Sequence, residues 1–158
     1  MICEDIGDLM TQARAGSSWM GLDLGTKTIG VAVSDRLLSS ATPLHTIRRV
    51  KFSKDAEALL QIIADREIGA IILGLPRNMD GSEGPRCQST RAFVRNLARF
   101  TDLPIGYWDE RLSTVAAERA LLEADTSRKR RAEVIDHVAA GYILQGALDR
   151  ARHIRTVT

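Results

Sequence analysis

Three carboxylates, Asp23, Glu110 and Asp136, stand where strand ends and one helix face could bring them together. Asp23 falls in GLDLGTKTIGVAVSD (21–35), inside what reads as the first buried strand. An unpaired carboxylate there would cost several kcal/mol, roughly, so it should serve a metal, a phosphate ligand or a partner charge. Alternation from Trp19 puts Gly21, Asp23 and Gly25 on one face and Met20, Leu22 and Leu24 on the other. The flanking glycines leave room for something to approach the acid. On the final helix Asp136 shares a face with Ala139, Ala140 and Ile143, and the two alanines let that helix lie close to the sheet. Glu110, preceded by Asp109, closes the last strand.

Convergent carboxylates repel one another unless a cation sits between them. Oxygen ligands without a Cys or His cluster favour Mg²⁺ or Mn²⁺ over zinc. Two such ions roughly 3.5–4 Å apart can activate a water and stabilise the leaving oxygen of a phosphodiester. Each acid also has a plain structural explanation. Asp before Gly-Thr is a turn former, Asp136 suits a helix amino terminus by about 0.3–1 kcal/mol, and Glu110 could pair with Arg111. The conjunction of the three is what points to a metal.

Groups suited to phosphate surround these acids. Lys27 follows the Asp23 turn; Arg77 and Asn78 lie in the glycine-rich loop GLPRNMDGSEG (74–84), after a strand, where open α/β sheets commonly bind ligands. Arg111, Ser113 and Thr114 combine a cation with a helix amino terminus. Arg128, Lys129, Arg130 and Arg131 form the one dense basic run, a plausible contact for a nucleic-acid backbone beside a metal site. His137 points about 100° away from Asp136 around the helix, a surface or supporting position.

The elements that must position these groups follow from periodicity. Strands at about 19–25 and 29–34 form a hairpin, and a third near 41–48, with Pro43, suits an edge. A helix capped by Ser53 runs to about Arg66, then Ala70–Leu73 reads as a strand buried on both faces. Pro85 opens a second helix, Leu103–Trp108 gives a fifth strand, and Ser113 or Thr114 caps a third helix to about Ala124. DTSRKRR (125–131) breaks the pattern before a last helix from about Ala132 to Arg152. The expected fold is an α/β domain with a mixed five-stranded sheet, an antiparallel three-strand meander plus two parallel strands, flanked by helices. Residues 19–152 make the domain, 1–18 a flexible or weakly helical arm and 153–158 a tail.

At 158 residues the chain fits one domain, and its net charge of +2 does not by itself announce a nucleic-acid binder. Only Lys27, Lys51, Lys54 and Lys129 are lysines among 22 basic residues; the rest are arginines, whose planar fork suits phosphate. Cys3 and Cys87 match no ligand spacing and suggest free thiols in a reducing cytoplasm. No stretch approaches the roughly 20 apolar residues of a membrane span. The expected protein is soluble and cytoplasmic, a monomer or small homo-oligomer.

GLDLGTKTIGVAVSD, GLPRNMDGSEG, DERLST (109–114) and DHVAAGYILQ (136–145) resemble, in order, the four motifs of the YqgF/RuvX-type proteins. That family comprises Holliday-junction-resolvase-like nucleases associated in bacteria with processing of the 5′ end of pre-16S ribosomal RNA. The resemblance runs from about Trp19 to Asp149. It implies a ribonuclease H-like fold, a divalent-metal site with Asp23, Glu110 and Asp136 in catalytic and metal-binding roles, and structured RNA as substrate. Many ribonuclease H-like enzymes take their second acid from the strand that here ends in Gly74-Leu75-Pro76, which supplies none, so Asp80 or Asp109 could replace Glu110. Alternation sends Asp109 and Glu110 to opposite faces, and Glu110 is the choice here. Branched DNA is the second candidate substrate. DLGTKTIG also resembles the phosphate loop of sugar kinases and actin-like ATPases, which need a second lobe, and a non-catalytic RNA-binding role on the same fold is a third possibility.

Overall fold

The computed structural model describes the backbone of residues 1–112 and 128–157 and the side chains of 1–112 and 137–156. The hairpin expected around Asp23 is present as β2 (Ser18–Leu24) and β3 (Thr28–Ser34), closed by the Gly25 N–H donating to the Thr28 carbonyl at 2.8 Å. β4 (Ala41–Arg48) pairs antiparallel with β3 and occupies the sheet edge, where Pro43 costs no ladder bond. Beyond it, the Arg49 N–H donates to the Lys27 carbonyl at 2.8 Å, and its guanidinium donates to the Gly25 carbonyl. The residue after the edge strand thereby fastens the turn that follows Asp23.

α2 (Phe52–Arg66) begins two positions earlier than the Ser53 cap implies. Lys51 takes the capping position without a side-chain bond, and Asp55 reaches back to accept the Val50 N–H at 3.1 Å. β5 (Ile68–Leu75) is buried along its whole length, as an apolar run between parallel neighbours requires. α3 (Pro85–Leu97) starts at its proline, and β6 (Ile105–Asp109) leads into a single 3₁₀ turn (Glu110–Leu112). The expected helix at 113–124 lies outside the described residues. α4 (Arg128–Val157) is longer than anticipated. Arg and Lys have high helix propensity, so the basic run at 128–131 extends the helix instead of breaking it.

The chain amino terminus adds a sixth strand. Residues 1–18, expected as a flexible or weakly helical arm, supply β1 (Ile2–Cys3), parallel to β6, and α1 (Ile6–Gln12), capped by the Asp5 carboxylate accepting the Asp8 N–H at 2.8 Å. Leu9 of α1 is fully buried against Gly106. The signal was weak because two-residue strands have no period and α1 buries only Ile6 and Leu9. The six strands among the described residues run β1-β6-β5-β2-β3-β4, with β1, β6, β5 and β2 parallel and β2, β3 and β4 antiparallel. No described helix is long and apolar enough to cross a membrane.

The sheet has two unlike faces. Met20, Leu22, Leu24, Ile71, Leu73, Leu75 and Tyr107 pack on α2 and α3. Trp19, Ala32, Ala70, Ile72 and Trp108 pack on α1 and α4 through Ala140, Ile143, Leu144 and Ala147.

Candidate active site

Asp23 lies on the α4 face and is almost wholly buried, 4% exposed. Its cross-strand partner on β3 is Gly30, whose own partner on β4 is Thr46. Thr46 exchanges a hydrogen bond with Nδ1 of His137, at 3.0 Å. One row across the sheet therefore runs from Asp23 to the helical turn that contains Asp136. Two residues back along β2 the helix comes closest: a Cβ on Gly21 would fall 2.6 Å from Leu144 Cβ and 3.0 Å from the Ala140 carbonyl. Pro43, in the row of Gly21 and Ala32, meets Gly141. α4 thus runs antiparallel to β2, and its backbone passes position 136 as β2 reaches Asp23. The Asp136 side chain lies outside the described residues, as do Ser113 and Thr114 and the side chains of Arg128, Lys129, Arg130 and Arg131.

Glu110 reaches the same face. Gly74 pairs with Trp108 in the β5/β6 ladder, and Glu110 follows two residues later, so alternation keeps it on the α4 side. A Cβ on Gly74 would lie 3.2 Å from Glu110 Oε2 and 2.5 Å from Ile143 Cδ1. The glutamate carboxylate fills space that a side chain on β5 would otherwise take. Leu22 pairs with Leu73, so Asp23 and Gly74 each stand one step beyond that pair on adjacent strands. Asp23 on β2 and Glu110 in the turn just past β6 are consequently both on the α4 side of the sheet.

Asp109 and Asp80 are engaged elsewhere. Asp109, on the opposite side of β6, accepts from Arg111 through both oxygens, with Nη2 at 2.7 Å, and lies 3.7 Å from Arg77 Nη1. The Arg111 hydrogen bonds hold its carboxyl below the ordinary aspartate range. Asp80 accepts the Ser82 N–H and hydroxyl, which likewise lower its pKa.

Arg77 and Arg111 therefore act first within the protein. Arg111 also donates to the Met79 carbonyl at 3.5 Å and lies under Gly81, whose φ of +90° suits glycine. Arg77 sits 3.3 Å from Glu83, which is forked by Arg91 at 2.6 and 2.7 Å. Arg91 reaches on to Glu4, a link to the amino terminus that sequence patterning did not reveal. Asn78 closes the loop on Ser82. These bonds shape 74–84 around the end of β6. Lys27 is exposed at the mouth of the β2/β3 turn. His137 is half-buried and faces Thr46, a contact legible only once the register is known.

Asp23 and Glu110 offer only carboxylate oxygens, a donor set that fits a hard divalent ion and gives little to zinc. Among the described residues no group of three or more His, Cys, Asp or Glu gathers as a metal cage. A third ligand would have to come from outside them, and the α4 turn at 136 is the element that overlooks the pair.

Residues 17–150 match the RuvX family, described as Holliday junction resolvase. A protein of a Ruegeria species named "Putative pre-16S rRNA nuclease" is 72% identical over 156 residues, covering 99% of both chains. One of the same name from Roseobacter denitrificans is 71% identical, covering 98% of this chain and 96% of that protein. Among solved structures, Thermus thermophilus RuvC in complex with a Holliday junction substrate aligns with a TM-score of 0.51 at 16% identity, over 89% of this chain and 96% of that one. The yeast mitochondrial Holliday junction resolvase aligns with a TM-score of 0.50 at 12% identity, over 94% of this chain and 86% of that one. The structural likeness establishes a shared fold.

Proposed function

The chain belongs to the RuvX family of Holliday-junction-resolvase-like nucleases, and on that premise we propose that it hydrolyses phosphodiester bonds at the 5′ end of pre-16S ribosomal RNA. The observation that supports the site is that Asp23 is buried on the α4 face of β2 while the Glu110 carboxylate lies over Gly74 of the neighbouring strand, on the same face. Asp23, Glu110 and Asp136 would hold Mg²⁺ or Mn²⁺, which when bound polarises a phosphoryl oxygen and makes water a better nucleophile. Asp23 supplies a charge fixed by the sheet. Its burial keeps competing water away and strengthens every electrostatic contact made there. Glu110 brings its charge over Gly74 from a 3₁₀ turn, whose position is set by the Asp109–Arg111 fork. The ordered 74–84 loop and the basic first turn of α4 would flank the substrate, with Lys27 at the turn mouth. Backbone and shape recognition fits a chain with few aromatic residues.

The enzyme would work in the cytoplasm on structured RNA, with branched DNA as the competing substrate. Purified protein offered a pre-rRNA 5′ fragment, a four-way DNA junction and ATP, with Mg²⁺, Mn²⁺ or EDTA, separates the possibilities. Metal-dependent cleavage of the RNA, lost in Asp23→Asn and Asp136→Asn, is the expected result. Preference for the junction would reassign the substrate. Equal cleavage by both variants would remove the site.

A further inference from the structure

Arg91, midway along α3, meets parts of the chain that lie far apart in sequence. Its Nε and Nη2 donate to the two oxygens of Glu83 at 2.6 and 2.7 Å, and its Nη1 donates to both oxygens of Glu4 at 3.2 Å. The guanidinium carbon stands 4.8 Å from the centre of the Tyr107 ring. Cys3 pairs with Gly106, so Glu4 leaves β1 beside Tyr107 of β6. One side chain thereby ties the end of the 74–84 loop to β6 and to the amino terminus. A guanidinium fork fixes the angle of a carboxylate as well as its position, which a single contact does not.

From Glu83 the contacts lead towards Glu110 by two routes. Arg77 lies 3.3 Å from Glu83 and 3.7 Å from Asp109, the residue before Glu110. Its Nε is buried and makes no aligned hydrogen bond among the described residues, so its place depends on where the two carboxylates are held. Arg111 holds Asp109, and Arg91 holds Glu83. The loop backbone is the second route, because Arg111, the residue after Glu110, donates to the Met79 carbonyl and lies under Gly81. Tyr107 and Asp109, two residues apart, share the side of β6 that faces away from α4. Arg91 and Arg77 brace that side, and Glu110 follows on the other.

We propose that Arg91 is a positioning residue for the Glu110 carboxylate, acting through its fork with Glu83 and the 74–84 loop on the Asp109–Arg111 pair. Glu4 holds the same guanidinium from the amino-terminal side, so residues 1–12 support the site as well as the sheet edge. Arg91 itself touches neither substrate nor metal. This proposal rests on the nuclease function above and adds to it the groups that keep Glu110 in place.

The test combines amide hydrogen exchange in EDTA, Mn²⁺ titration and cleavage kinetics on a pre-rRNA 5′ fragment, for Arg91→Ala and for Glu83→Gln, which keeps the shape and removes the charge. In both variants the N–H groups of Asn78, Gly81, Ser82 and Arg111, each bonded within the loop or its turn, should exchange about tenfold faster, with Leu22 and Leu73 in mid-sheet unchanged. Mn²⁺ affinity should fall about tenfold, the low end for loss of a supporting group, and kcat should fall about tenfold with KM within about twofold. The double variant should lose no more than the worse single one, as residues acting through one contact do. Arg36→Ala, at a surface pair with Glu67, should change none of these. Unchanged Mn²⁺ affinity and kcat in both variants would overturn the positioning role and leave the nuclease function standing, and so would exchange that rises equally at Leu22 and Leu73, the mark of a general loss of stability. A wild type that binds Mn²⁺ without cleaving would overturn the nuclease function alone, with the Mn²⁺ affinities of the variants deciding the role of Arg91. A wild type that does neither would overturn both.

Discussion

The two faces of β2 and β5 are made from alternate residues of the same strands yet do opposite work. Leu22, Leu24, Leu73 and Leu75 fill one face against α2 and α3. Gly21, Asp23 and Gly74 occupy the other, where α4 comes to contact at Gly21 through Leu144 and the Ala140 carbonyl and the Glu110 carboxylate takes the room that Gly74 leaves. The first face tolerates a change in shape at the expense of stability. The second is limited by backbone approach, so even one methyl group displaces the side chains proposed to carry the chemistry. Packing and the proposed catalytic site are separated here by a single step along a strand.

The widest separation between the faces is expected at Asp23. Asp23→Asn should lower metal-dependent cleavage by about 10³-fold, as loss of a fixed charge at a reacting centre does, while thermal unfolding shows the fold kept. A variant that unfolds would make Asp23 part of the core and dissolve the contrast. Leu73→Ala, one residue from Gly74, should cost about 2–5 kcal/mol in urea unfolding, with the remaining folded fraction cleaving at the wild-type rate. Gly74→Ala should do both, because its Cβ would meet Ile143 and Glu110. A stability loss of about 1–3 kcal/mol from overpacking should come with reduced kcat, and wild-type kcat would show that Glu110 has no part in the reaction.

The smallest effect is expected at Asp109, outside both faces. Its folded pKa is lowered by Arg111, so the stability it contributes is present above the ordinary aspartate value and is lost as pH falls through the folded value. Glu83, lowered by Arg91, has the same sign. Urea midpoints of the wild type should therefore fall as the pH drops below about 4, and Asp109→Asn should be less stable at pH 7 and show a shallower acid loss. Identical pH curves would mean that the loop is held by other contacts.

Much of this was legible in the amino-acid order. Alternation separated Asp23 from Leu22 and Leu24, the apolar run identified β5, and Pro85 marked the start of α3. Residues 1–18 were not legible as part of the core, because β1 and α1 are too short to show a period and gain their stability from β6 and α4. The capping of α2 was misplaced because the helix starts at Phe52 behind Lys51, which makes no side-chain cap bond, while Asp55 reaches back from within the helix to the Val50 N–H. The roles of Arg77 and Arg111 were also beyond sequence. Either arginine could face phosphate or a carboxylate, and only the loop path set them on Glu83 and Asp109.

For Glu110 the division is sharpest. Strand alternation predicts that Asp109 and Glu110 take opposite sides, since successive side chains on an extended chain must, and the two do so although Glu110 opens a 3₁₀ turn. Which of the two would lie on the α4 side with Asp23 depended on which side of β6 faces α4, and no local pattern holds that information. The parallel β5/β6 register, with Gly74 opposite Trp108, decided it: the missing side chain at 74 leaves the space beside α4 that the Glu110 carboxylate enters.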